Sequence, residues 1–193
     1  MFFRKRSSEG DLPTFLTPRL HLRPYRPADA PEVWQVLSAE GIYATTAYIP
    51  RNITLAQTRY WVEQVCRAAQ EGTALELAVF SRSDGRYLGN VGLIQLHPRH
   101  RSAEITYFIR PDAWGKGYAT EAAEVLVRYG FEKKQLHRIA GTCMKQNAAS
   151  QRVMEKLGFR VEGIAREELY KDGVFLDVTH LALLASEWQA RGL

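Results

Sequence analysis

Cysteine is scarce in this chain of 193 residues, with Cys66 and Cys143 the only two. Two thiols so far apart in sequence build neither a disulfide framework nor a spaced zinc pattern, so both read as reduced core thiols. Long apolar runs are missing as well. Nothing approaches the roughly 18 residues of a membrane span, and MFFRKRSSEGDLP has basic residues but no apolar stretch of signal-peptide length behind them. The expectation is a cytoplasmic protein with no membrane partner. Internal repeats are absent, and so are the phosphate-binding patterns GxGxxG and GxxxxGK[ST]. No cluster of metal-ligating residues stands out either. His97 and His100 are three apart, but Pro98 between them argues against the helix that would aim both at one ion, and they read as loop histidines.

The chain does hold enough apolar residues, 46%, to bury one sizeable core. Its length fits one globular domain over 14–193 behind a flexible basic tail at 1–13. A formal charge of +5 points to an anionic partner, and nucleic acid and phosphate-bearing cofactors both qualify. RLHLRPY alternates like a strand. PADAPEVWQVLSAE reads as a helix, and TLAQTRYWVEQVCRAAQEG as a longer one, opened by Thr54 and Gln57 in capping-box spacing and closed by Gly72. ALELAVFSR and YLGNVGLIQLHP form a hairpin across Ser83-Asp84-Gly85-Arg86, and AEITYFIRP follows as a third strand. TEAAEVLVRYGF has apolar residues at 119, 122, 126 and 129, one face of a helix on a sheet. RIAGTCM is a strand, AASQRVMEKLG a helix ended by Gly158, and VEGIAREELYKDGVFLDVTHLALL a hairpin turning at Asp172-Gly173. The order β-α-α-β-β-β-α-β-α-β-β predicts an α/β (α+β) fold, a mixed sheet of about seven strands with helices on its faces.

The stretch PDAWGKGYATEA carries the chemistry. A helix starting near Tyr118 presents unpaired backbone N–H groups and the positive end of its dipole, and glycines before it let an anion approach the backbone. Lys116 adds a point charge to the same place. The competing reading is a plain strand-to-helix connection whose glycines serve only the turn.

Together with NAASQRVMEKLGF and the strand order, that turn resembles the GNAT superfamily of N-acetyltransferases from about Arg19 to Trp188. The ribosomal-protein N-terminal acetyltransferases of RimJ/RimL type are the most similar within it. The resemblance implies a mostly antiparallel sheet and acetyl-CoA as co-substrate, with no metal. It implies that the pyrophosphate sits on the turn Trp114, Gly115, Lys116, Gly117, Tyr118, Ala119 and Thr120. It also implies that the preceding strand (Phe108, Ile109, Arg110) splays to admit the pantetheine arm, which Asn147 meets, and that backbone N–H groups around Tyr107 to Ile109 receive the thioester carbonyl. The family pattern usually begins with Gln or Arg where Trp114 stands. Many members have a tyrosine, proposed to protonate the leaving thiolate, where this chain has Met154; Ser150 is the substitute that resembles the RimL type.

By the same resemblance Glu104 in SAEITY matches a glutamate that several members use as base, and alternation puts it on one face with Thr106, Phe108 and Arg110. The implied acceptor is an amine, foremost the α-amino group of a protein N-terminus such as a ribosomal protein's, with small amines as the alternative and nucleic acid not required. A non-catalytic module that binds coenzyme A fits the same turn. Each site residue also has a plainer reading: Glu104 as a solvated edge carboxylate, Ser150 as a helix-surface hydroxyl, Asn147 as a helix N-cap. Glu167 and Glu168, one place out of register with the RimL-type glutamate, are the next candidates for the base. Cys143 reads as inert core, Trp34, Tyr60 and Trp61 as core aromatics, and Arg99, His100 and Arg101 as a basic loop open to ribosomal RNA, an acidic peptide or solvent. Monomer and homodimer both remain open.

Overall fold

The computed structural model describes residues 12–190. The tail read over 1–13 lies, but for its last two residues, outside the described residues. The chain runs β1 (Phe15–Leu16), β2 (Leu20–Pro24), α1 (Ala30–Leu37), α2 (Glu40–Thr45), α3 (Leu55–Glu71), β3 (Leu75–Ser81), β4 (Tyr87–His97) and β5 (Ser102–Ile109). It continues through α4 (Tyr118–Glu132), β6 (Arg138–Met144), α5 (Ala148–Lys156), β7 (Arg160–Lys171), β8 (Val174–Leu184) and α6 (Ala185–Ala190). All strands join one sheet in the order β1-β2-β3-β4-β5-β6-β8-β7. Among the described residues only β5 and β6 pair in parallel.

The sheet has eight strands where about seven are expected, because the two residues of β1 fold back on β2 through Phe15↔Leu22. The single helix expected from Pro27 to Glu40 is three pieces. A 3-10 turn spans Pro27–Asp29, α1 follows, and the Ser38 hydroxyl takes the Trp34 carbonyl at 2.8 Å while Ala39 turns extended, so α2 starts afresh. The expectations for α3 match: Thr54 and Gln57 cap each other's backbone, and Gly72 is left-handed at φ 72°. Leu75, Leu77, Leu93 and Ile105 on one sheet face pack with Leu126 of α4, and Ala78 and Phe80 on the other pack under α1 and α3 with Val33 and Val62.

The feature that positions the site is a split in the sheet. β5 and β6 pair only over Ser102–Glu104 and Arg138–Ala140, after which each follows its outer neighbour. β5 stays with β4 as far as Gly89↔Ile109, and β6 with β8 as far as Met144↔Val178. A Cβ on Gly89 would stand 2.0 Å from the Phe108 carbonyl oxygen, so only glycine lets β4 draw the end of β5 so close. Arg110 N–H adds a 2.8 Å bond to the Leu88 carbonyl beyond the ladder. From Ile105 to Ile109 the backbone groups that β5 would offer a parallel neighbour therefore open into a cleft.

Candidate active site

The cleft has a volume of ≈ 1190 Å³ and runs from the Trp114–Thr120 turn, along β5 and β6, to α3 on one side and the last hairpin on the other. At its mouth Gly115 and Gly117 are left-handed, φ 74° and 80°. Gly117 is the N-cap of α4 and supplies no side-chain cap. The first intrahelical bond runs from Glu121 N–H to the Gly117 carbonyl at 3.1 Å, so the N–H groups of Tyr118, Ala119 and Thr120 have no helical partner. A positive helix end with bare donors and no side-chain cap fits an anion. Arg19 braces the turn from behind: its guanidinium donates to the Lys116 carbonyl at 2.8 Å and to Glu121 at 2.6 Å, and lies 4.7 Å over the Tyr118 ring.

Two residues of the expected cofactor set lie off the cleft wall. Arg110 turns back to Asp112 at 2.7 Å and to the Tyr87 carbonyl at 3.2 Å, because the backbone leaves the strand for a 3-10 turn at Pro111. The Lys116 ammonium donates to the Asp112 carbonyl at 3.3 Å. Phe108, Ile109, Trp114, Gly115, Gly117, Tyr118, Ala119, Thr120, Asn147 and Ser150 all line it. The Trp114 indole N–H bonds the Ile109 carbonyl, and its ring covers Gly41 of α2, where an added Cβ would meet it at 2.9 Å. Trp114 thus locks the turn to the end of β5 and to α2.

Asn147 is at once a cleft residue and an N-cap. Its Oδ1 accepts from Ser150 N–H at 3.0 Å, and its Nδ2 donates to the Thr45 carbonyl, also at 3.0 Å. Ser150 faces Tyr107, whose hydroxyl lies 3.0 Å from Ser150 Oγ and 2.9 Å from its carbonyl oxygen. Burial pushes the Tyr107 phenol well above its ordinary range, a shift that the Ser150 hydrogen bond opposes. Met154 is buried under Gly141 and offers no acid.

Glu104 lines the cleft just where the strands part, and its Oε1 accepts from the Thr142 hydroxyl of β6 at 2.9 Å. Glu168 also lines it but is paired with His180 at 2.6 Å. Glu167 points elsewhere, its N–H held by Asp177 at 3.1 Å. Cys143, read as inert core, is buried but also lines the cleft, and burial raises its thiol pKa. The reading of three core aromatics fails in a useful way. Tyr60 is exposed, Trp34 is on the surface with its indole on the Ile53 carbonyl, and Trp61 lines the cleft beside Phe108. Among the described residues no group of three His, Cys, Asp or Glu could hold a metal.

The sequence reading passed over two acidic residues of the cleft, Glu162, which is paired with Arg138, and Glu76. Glu76 of β3 faces the cleft, and its Oε2 accepts from Asn90 Nδ2 at 2.7 Å. Burial pushes its carboxyl above the ordinary carboxylate range, with the Asn90 hydrogen bond opposing. The signal lay in ALELAVF, where a glutamate interrupts a strand otherwise fit for full burial.

Comparison with known proteins agrees with this architecture. The model of the Acetyltransferase (GNAT) domain matches residues 19–160. YdaF of Bacillus subtilis (strain 168), whose name assigns it provisionally to ribosomal N-acetylation, is 39% identical over 106 residues, 55% of this chain and 58% of its own. The spermidine N(1)-acetyltransferase of Escherichia coli (strain K12) is 30% identical over 141 residues, 68% of this chain and 76% of its own. The crystal structure of a GNAT-family acetyltransferase from Bacillus anthracis superposes with a TM-score of 0.79 at 28% identity, covering 90% of this chain and 99% of the other.

Proposed function

The chain belongs to the GNAT acetyltransferase family, and on that premise we propose that it passes the acetyl group of acetyl-CoA directly to the α-amino group of a protein N-terminus, such as a ribosomal protein's. The observation that carries this reading is the bare N-terminus of α4 opening at the mouth of the parted strands, with an uncovered carboxylate, Glu104, at the point of parting. The proposed setting is the cytoplasm, which suits two free thiols, Cys66 and Cys143.

Acetyl-CoA supplies a thioester, whose thiolate leaves readily near neutral pH. The N–H groups of Tyr118, Ala119 and Thr120 take the pyrophosphate. The free edge of β5 takes the arm and, through an N–H among Tyr107, Phe108 and Ile109, the carbonyl oxygen as it gains charge. Asn147 borders the arm and keeps a second Oδ1 lone pair for it. Glu104 receives the proton as the amine nitrogen bonds to the carbonyl carbon, directly or through water. As the carbon–sulfur bond breaks, the Ser150 hydroxyl, oriented by Tyr107, donates a hydrogen bond to the sulfur, which leaves as the thiolate and takes its proton from solvent.

An α-amine suits this equipment. With a pKa of about 7.7–8.0 it is neutral in roughly a tenth of molecules at pH 7, against fewer than one in about a thousand for a lysine. A polyamine is the second reading, favoured by the spermidine-acetylating relative. It carries several cations, whereas two of the four carboxylates lining the cleft are already paired, Glu162 with Arg138 and Glu168 with His180. Release of coenzyme A thiol tests the choice. A peptide whose one amine is its N-terminus should release thiol, and the same peptide with that amine blocked should not. Faster release with spermidine would favour the second reading.

A further inference from the structure

We propose that Glu76, held out by Asn90 across the gap at Gly92, is the seat that receives the acceptor's ammonium group before it reacts. This rests on the acetyl-transfer reading and names the group that selects a cationic acceptor.

Three cross-strand rows lie on the face of the sheet that carries the cleft. Ala78 of β3, Asn90 of β4 and Phe108 of β5 stand abreast; Glu76, Gly92 and Thr106 form the next row; Ile94 and Glu104 the one after. A side chain at the centre of the middle row would fill that part of the face. Glycine leaves that place to Glu76, whose Cγ comes within 2.4 Å of where a Cβ on Gly92 would stand. The carboxylate therefore leans over β4 toward Thr106, on the face that carries Glu104.

Its aim is fixed by a chain of hydrogen bonds from the core. Tyr25 OH donates to Asn90 Oδ1 at 3.1 Å, which leaves Tyr87 to donate to Tyr25 across 2.8 Å. With its oxygen so engaged, Asn90 must turn its amide nitrogen to Glu76 Oε2, and it does so at 2.7 Å. Oε1 has no hydrogen-bond partner among the described residues, and no cationic side chain pairs with Glu76. A carboxylate kept half out of water with one oxygen free is costly unless a cation completes it. Abreast of Asn90 in the same row stands Phe108, on whose ring Trp61 leans from α3 with centroids 6.4 Å apart, and aromatic faces favour an ammonium too. The acetylated product is a neutral amide, so the same seat would release it.

Steady-state kinetics on Glu76→Gln tests the assignment, because glutamine keeps an oxygen for Asn90 and removes only the charge. The KM for a peptide α-amine should rise about 10–100-fold. Turnover at saturation and the KM for acetyl-CoA should stay within about threefold of the parent. The acetylated peptide, a weak competitor of the substrate in the parent, should compete as well as the substrate in the variant. Glu76→Asp, which restores the charge on a shorter arm, should recover part of the loss. An unchanged acceptor KM in Glu76→Gln would overturn the seat, and so would a fall in turnover with KM intact, which would make Glu76 the proton acceptor. A parent protein that releases no thiol with any amine would instead sink the acetyl-transfer reading itself.

Discussion

Glu104 and Glu76 stand two strands apart on one face of the sheet, and their surroundings give them different work. Among the described residues Glu104 has the Thr142 hydroxyl as its hydrogen-bond partner, and the proposed role for it is that of proton acceptor. Glu104→Gln should lower turnover at pH 7 by about 10²–10⁴-fold with acetyl-CoA affinity kept. The loss should shrink as pH approaches the amine pKa of about 8, where solution supplies the acceptor already neutral. A pH–rate series on parent and variant checks this, and full turnover at pH 7 would move the base elsewhere. Glu76 adds a stability effect with a definite sign. Its folded carboxyl titrates above the ordinary value, so between those two values the folded protein holds a proton that the unfolded chain has released. Stability from this group falls as pH rises through that window, and above it the whole penalty is present. Glu76→Gln should therefore melt higher than the parent at pH 7, by about 2–4 °C for each roughly 1 kcal/mol relieved, and the gain should vanish below about pH 4. A lower melting temperature at pH 7 would count against burial as the cause. A sequence shows Glu104 by its place in a strand before a glycine turn. It shows Glu76 only as an interruption, because Gly92 and Asn90, which give it direction, are 14 or more residues away and meet it only through register.

At the scale of elements, local rules were legible wherever local chemistry decides. The α3 capping box, the start of α4 at Tyr118 and the turn at Asp172-Gly173, with φ of 52° and 81°, all follow from residues within a few places of one another. One local contact was missed: Asp112, within four residues of both, holds the side chains of Arg110 and Lys116, which the sequence offered as cofactor ligands. The rest of what was hidden depended on distant partners. Arg19, far upstream, braces the turn. The turn itself can be tested by Gly117→Ala. A Cβ there would meet nothing closer than the Arg19 guanidinium at 3.4 Å, so the effect is one of backbone conformation. Holding alanine at φ near 80° costs roughly 1–2 kcal/mol. Relaxation of that strain would re-aim the N–H groups of Tyr118 to Thr120. Thermal melting should show the loss and calorimetry a weaker hold on acetyl-CoA; unchanged affinity would return the glycines to a mere turn.

The whole molecule is a sheet divided for a purpose. Its halves, β1 to β5 and β6 to β8, are joined by three residues of parallel pairing and then separate, leaving a strand edge free inside the protein. Such an edge is normally a liability; here it lines the cleft beneath α4's bare end. Across the far side, Lys171 of β7 donates to the carbonyls of Tyr43 and Thr46, and Tyr43 bonds Asp172, so the last hairpin is tied to the α2 region beside the cleft. The strand order predicted the sheet, but not this tie, since no short-range signal links Tyr43 to Asp172. The account's central claim is that this arrangement delivers acetyl from acetyl-CoA to a peptide's α-amine. The most direct test incubates the protein with acetyl-CoA and an unblocked peptide that also contains lysine, and locates the new acetyl group by fragment-ion mass spectrometry. The account predicts acetyl on the N-terminal nitrogen, in step with thiol release. Acetyl found on lysine alone, or thiol released with no acetylated peptide, would contradict it.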